Sequence, residues 1–233
     1  MSRLSEALAG GKKKLLAYIV AGDPNRDATL HLMHDMVSSG VDAIELGVPF
    51  SDPEAEGPVI QLAHERALRS NTSLEHCLGI VRDFRKTNFR TPVILMGYLN
   101  PVESMGYERF ANRAANSGVD GLIIVNLPPE EASVLKESLS NNSLDLIYLV
   151  APTTTQQRME MICSESSGFV YYVSLKGTTG AGTLNVKEVE CKLEQLRSAS
   201  NLPILVGFGI KNGETAAAIG ALSDGVVVGS AIV

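Results

Sequence analysis

The chain alternates eight times between a short apolar run and a longer amphipathic one, and this alternation constrains the fold more than any single motif. The strand-like runs are 15–20, 43–46, 93–96, 121–124, 146–150, 169–173, 204–206 and 225–228. They are continuous rather than alternating in polarity, as expected of parallel strands buried on both faces beneath helices. Helix-like runs such as 29–39, 108–117, 130–139, 155–163 and 214–222 separate them, and glycines such as Gly40 and Gly118 close several. No linker or low-complexity stretch intervenes. Eight such repeats predict an α/β protein with one domain over 1–233, a (β/α)8 or TIM barrel; an open doubly wound sheet shares the periodicity and is the alternative.

Composition narrows the partners. With 45% hydrophobic residues and no apolar run near the roughly 20 residues of a membrane span, the chain can bury a sizeable core without a membrane. A net charge of −6 and the lack of a Lys/Arg-rich block argue against nucleic acid or an anionic membrane surface as main partner, so an anionic substrate would need a local cradle. Cys77, Cys163 and Cys191 are odd in number and outside any C-x-x-C pattern, which fits a reducing cytoplasm rather than a disulfide framework or zinc site. Lys12, Lys13 and Lys14 lead into a strand-like run, not into the long apolar segment of a signal peptide. His31, His34, His64 and His76 fall in helical runs without a metal-ligand pattern and read as surface or packing residues; the seven Met residues read as core filling.

In a barrel of this kind the chemistry sits where strands pass into loops. The run from Glu45 to Pro58 leaves an apolar strand for a loop with Pro49, Pro53 and Pro58, shaped further by Gly47 and Gly57. Glu45 stands among apolar neighbours, where an ionised carboxylate is costly unless partnered. Glu56 is the second carboxylate, and two carboxylates in unlike surroundings can divide acid and base work. Spacing alone equally allows a salt-bridged or capping Glu45 and an ordinary solvated loop carrying Asp52, Glu54 and Glu56. Other strand ends are polar: 21–24, 97–101 and 126–129. The segment 174–182, with three glycines and two threonines, has the composition of a closing lid or of a plain solvent loop. Gly207 and Gly209 after the seventh strand, with Gly229 and Ser230 after the eighth, have the makings of a phosphate cradle of backbone N–H groups, Ser230 capping a short helix.

The run Glu45-Leu-Gly-Val-Pro-Phe-Ser-Asp-Pro-Glu-Ala-Glu-Gly-Pro58 resembles the signature loop of the tryptophan synthase alpha chain family. The likeness extends through Gly22-Asp-Pro24, Met96-Gly-Tyr-Leu-Asn-Pro101, Gly177-Thr-Thr-Gly180, Gly207-Phe-Gly-Ile210 and Gly229-Ser-Ala-Ile232. It implies retro-aldol cleavage of indole-3-glycerol phosphate to indole and glyceraldehyde 3-phosphate, without metal or organic cofactor. Indole would pass to a beta chain, in an α2β2 assembly. By matching position Glu45 would be the acid/base and Glu56 would accept from the indole N–H. Tyr171 would line the site, Thr179 would meet the second carboxylate from the lid, and Tyr18 would form an aromatic wall. Gly180, Gly209, Gly229 and Ser230 would hold the phosphate. Pro49, Asp52, Pro53, Tyr98, Asn100 and Pro101 would face the beta chain, and Lys176 stands where relatives often carry a basic residue.

Three positions depart from the family pattern. Glu56 replaces the usual Asp, Asn126 replaces another, and the chain stops at Val233, where relatives continue through the last outer helix. Without that helix one flank of strands eight and one is expected to lie uncovered. Two other functions fit less well: a weakly catalytic regulatory subunit that activates a beta chain, and another phosphosugar enzyme on the same barrel.

Overall fold

The structure, a computed structural model, describes residues 2–173, 186–207 and 209–233. Among the described residues nine parallel strands are present: β1 (Lys14–Val20), β2 (Ala43–Gly47), β3 (Val93–Gly97), β4 (Gly121–Ile124), β5 (Asp145–Ile147), β6 (Leu149–Val150), β7 (Val170–Val173), β8 (Ile204–Gly207) and β9 (Gly225–Val228). They pair in the order β5-β4-β3-β2-β1-β9-β8-β7-β6. The ends of that series, β5 and β6, flank a single residue, Tyr148. The expected fifth strand is therefore one stave whose halves pair with different neighbours, β5 with β4 and β6 with β7. The Tyr171 N–H donates to the Tyr148 carbonyl at 3.2 Å across the break, and the ring closes into the TIM barrel. A second difference lies at 130–139, where a 3-10 turn, Pro129–Glu131, precedes the helix Ser133–Ser140.

Two apolar layers explain why the strands read as unbroken apolar runs. Residues facing the barrel axis include Leu16, Tyr18 and Val20 of β1, Ala43 of β2, Ile94 and Met96 of β3, Ile123, Ile147, Tyr171, Leu205 and Val227. The intervening residues, such as Ala17, Ile19, Ile44, Leu46, Leu95, Tyr172 and Val206, pack outward against the helices. The period of two is intact, but both faces are dry. Where β1 and β9 meet, Ala17, Ile19 and Val226 are buried whereas Leu15 and Val228 are only half-buried.

The N-terminal mouth is sealed by a helix absent from the sequence reading, Arg3–Leu8, whose Leu4 and Leu8 join the interior layer. Arg3 Nε donates to Asp120 Oδ1 at 2.7 Å, and Arg85 donates to Asp120 Oδ2 at 2.7 Å, so one buried carboxylate holds two guanidinium groups. The same Oδ2 accepts the Val93 N–H at 2.8 Å. This capping recurs: Asp42 accepts from Leu15 N–H, Ser167 from Leu146 N–H and Asp224 from Ile204 N–H. Each side chain just before one strand satisfies an amide that opens its neighbour, amides that would otherwise lack partners at the sheet's lower rim. The opposite mouth is left for chemistry.

Candidate active site

Glu45 lies within β2, one register step across from Tyr18 of β1, and points into the barrel rather than standing at the strand's end. It is fully buried, and among the described residues neither carboxylate oxygen has a hydrogen-bond partner. Burial, reinforced by the nearby Glu56, pushes its carboxyl up to about 8. Glu56, 2% exposed, comes from the loop after β2, and burial raises it to about 7. The two share a pocket with Tyr18 and Tyr171, an apolar lining of Ile60, Met96, Ile210 and Val227, and Gly209, Gly229 and Ser230.

The two tyrosines are seated by glycines on neighbouring strands. A Cβ at Gly47 would run into the Tyr18 hydroxyl, and one at Gly207 into the Tyr171 hydroxyl. Only a residue without a side chain lets each ring lie across the next strand and reach the pocket. The apolar slot can take a flat ring, the carboxylates can move a proton, and the glycine-rich turns after β8 and β9 offer amides to an anion. After β9 the Ile232 N–H donates to the Gly229 carbonyl at 2.7 Å, so the expected short helix at Ser230 is a single turn.

A profile of the family described as tryptophan synthase alpha chain matches residues 4–233. The chain belongs to that family. The tryptophan synthase alpha chain of Thioalkalivibrio sulfidiphilus is 56% identical over 237 residues, covering 100% of this chain and 89% of its own length. That of Marinobacter nauticus is 54% identical, covering 100% and 88%. Among solved structures, tryptophan synthase subunit alpha from Legionella pneumophila superposes with a TM-score of 0.92 at 47% identity, covering 100% of this chain and 87% of that one. A chain of the tryptophan synthase complex of Pyrococcus furiosus gives 0.84 at 35% identity, covering 94% and 88%.

With the family established, the remaining sequence candidates can be placed. Thr179, Gly180 and Lys176 lie outside the described residues. Pro49, Pro53 and Tyr98 are buried, Pro101 is half-buried, and Asp52 and Asn100 are exposed. The two loops that carry them touch: the Phe50 and Tyr98 rings stack with centroids 4.9 Å apart, and the Ala55 N–H donates to the Tyr98 hydroxyl at 3.0 Å. Asn126, where alpha chains usually carry Asp, accepts the Leu99 N–H on its side-chain oxygen at 2.8 Å, so the acceptor survives the loss of charge. His31 is exposed, His34 packs on Phe84, and His76 closes a capping box with Ser73, as surface or packing residues do.

Five residues at the site were not assigned to it from the sequence. Ile60, Met96, Ile210 and Val227 line the pocket, and His64 stands behind it, 3.3 Å from the Tyr18 hydroxyl. Met96 and Val227 could have been found by counting in twos along their strands from inward neighbours, once the inner face was known. His64 carries no such signal, because a histidine in an amphipathic helix reads alike whether it packs or positions.

Proposed function

We propose that this chain is the alpha subunit of a tryptophan synthase and cleaves indole-3-glycerol phosphate to indole and glyceraldehyde 3-phosphate, beside a beta chain in a cytoplasmic α2β2 assembly. The observation that carries the reading is the buried, unpartnered Glu45 carboxyl in an apolar pocket shared with Glu56. With carboxyls raised to about 8 and about 7, Glu56 ionises first and Glu45 keeps its proton through neutral pH. Environment thus assigns the acid and the base.

Protonated Glu45 gives its proton to the indole carbon that bears the glycerol chain. Positive charge then develops on the ring nitrogen, whose N–H donates to the Glu56 carboxylate. The carboxylate left on Glu45 takes the proton of the adjacent chain hydroxyl. The electron pair of that O–H bond becomes the new carbonyl, and the pair of the breaking carbon–carbon bond returns to the ring and restores neutral indole. One proton is lent and recovered, so no other reagent is consumed. Backbone amides around Gly209, Gly229 and Ser230, which line the pocket, would bind the phosphate, with Thr179 and Gly180 assigned by the family pattern alone. The complex solved for Pyrococcus furiosus supports a beta-chain partner.

The test is turnover of indole-3-glycerol phosphate by the purified chain, with and without a beta chain, followed through glyceraldehyde 3-phosphate. Product formation with both is expected, faster in the complex. Stimulation of the beta chain with no cleavage would replace this reading by that of a regulatory subunit.

A further inference from the structure

Three successive peptide units around Glu56 are hydrogen-bonded, and two of their partners are side chains from outside the loop. The Ala55 N–H donates to the Tyr98 hydroxyl oxygen at 3.0 Å, and the Glu56 N–H donates to the Pro53 carbonyl at 3.0 Å. The Glu56 carbonyl accepts from Gln61 Nε2 at 2.8 Å. A carbonyl can only accept, so the Gln61 amide must turn its NH2 group to the loop. Each bond holds one rigid peptide plane, and with planes held on both sides of Ala55 and of Glu56 the φ and ψ of both residues are set. Those torsions decide the direction in which the Cα–Cβ bond of Glu56 leaves the chain.

The geometry points to Gln61 and Tyr98 as positioning residues that clamp the main chain on either side of Glu56 and so aim its carboxyl group into the pocket. Gln61 lies in the helix Pro58–Arg69, just past the carbonyl it holds, and Tyr98, 3% exposed, follows β3. His64, one turn further along the same helix face, accepts the Phe50 N–H on Nδ1 at 3.1 Å, so the loop is also held near its start. The Tyr98 ring stacks on Phe50 while its hydroxyl holds Ala55, so one residue ties both parts of the loop together. Glu56 needs such a clamp more than the family's usual Asp would. Its side chain has one more rotatable bond, and each torsion left free spreads the carboxyl over more positions. The titratable groups around that carboxyl are Tyr18 of β1, Glu45 of β2, Tyr98 and Tyr171 of β7.

The inference rests on the lyase reading for its catalytic meaning, but side-chain carboxyl titration by 13C NMR tests it without turnover, the Glu56 signal being identified by its loss in Glu56→Gln. Burial holds that carboxyl at about 7. A loosened backbone lets it reach water. Gln61→Met removes the donor and Tyr98→Phe the acceptor, each with side-chain bulk kept, and each should lower the Glu56 value by about one unit. Hydrogen exchange of the Ala55 amide should quicken about tenfold in Tyr98→Phe, which keeps the ring that stacks on Phe50. In the lyase assay both variants should lose about tenfold in kcat with a smaller change in KM, as expected when a group acting in the transition state is displaced. Gln61→Ala replaces Gln61→Met if the latter fails to fold. An unmoved Glu56 titration in either variant, whatever its turnover, would overturn the clamp. Shifted titrations in a chain that does not cleave indole-3-glycerol phosphate would sink the lyase reading and leave the clamp standing.

Discussion

Glu45 and Tyr18 are register partners on adjacent parallel strands, both buried in the barrel interior, and the carboxyl of the first has no hydrogen-bond partner among the described residues. An acid left unsatisfied inside a core destabilises the fold, which makes it a candidate for chemistry. Glu45→Gln keeps the shape and removes the transferable proton. Cleavage of indole-3-glycerol phosphate should fall by a factor of about 10² to 10⁴, the usual worth of a positioned acid/base, with an unchanged circular dichroism spectrum. Turnover within threefold of wild type would remove Glu45 from the role.

The same burial predicts how stability depends on pH. Glu45 titrates near the usual 4.5 when unfolded and at about 8 when folded. Its protonated form is the one the fold prefers, so its stabilising contribution is complete below pH 4.5 and is lost as pH rises to 8; Glu56 acts alike up to about 7. Urea titrations between pH 5 and 8 should show stability falling by up to about 1.4 kcal/mol per pH unit for each group. Glu45→Gln should flatten that slope and be more stable than wild type at pH 8. An equal slope in both proteins would mean that Glu45 ionises freely in the fold.

Glu56 stands one methylene longer than the family's usual Asp. Glu56→Asp restores that residue but withdraws the carboxylate by about 1.5 Å, one carbon–carbon bond. In a pocket fitted to the longer side chain it should lower kcat, and Glu56→Ala should lower it further. KM should move less in both, since a bond to the indole N–H strengthens as charge grows on the ring. Full turnover in Glu56→Ala would redirect attention to Asp52 or Glu54.

Asp120 carries the lower rim of the barrel, holding Arg3, Arg85 and the Val93 amide at once. Asp120→Ala leaves a buried guanidinium and an amide without their acceptor. Chemical denaturation should show a loss of about 3–5 kcal/mol, the cost of breaking a buried pair from one side. Activity per folded molecule should be unchanged, because the rim is at the end of the barrel away from Glu45. A loss below 1 kcal/mol would mean that water replaces the carboxylate.

The Phe50–Tyr98 stack joins the two loops that the family resemblance implies would face a beta chain. Asn100, exposed beside it, should tolerate Asn100→Arg in the isolated chain yet lose affinity for a beta chain, as measured by titration calorimetry. Unchanged affinity would place the interface elsewhere.

The eight repeats were legible in the sequence because parallel strands buried on both faces must be short apolar runs, and the helices between them must be amphipathic. The Glu45–Pro58 loop was legible for a related reason: prolines and glycines encode its shape locally, and its resemblance to one family supplied the roles. Local pattern could not say which face of β2 turns inward, since Ile44 and Leu46 are as apolar as Ala43, so it gave Glu45 apolar neighbours at a strand's end but not its direction into the barrel axis. Nor could it show Asp120 gripping Arg3 from 117 positions away, Tyr148 dividing a stave, or His64 reaching Tyr18. Sequence determined the elements, because backbone preference and burial period act over a few residues. Tertiary structure decided the protonation and orientation of the site, because those depend on groups that meet only when the barrel closes.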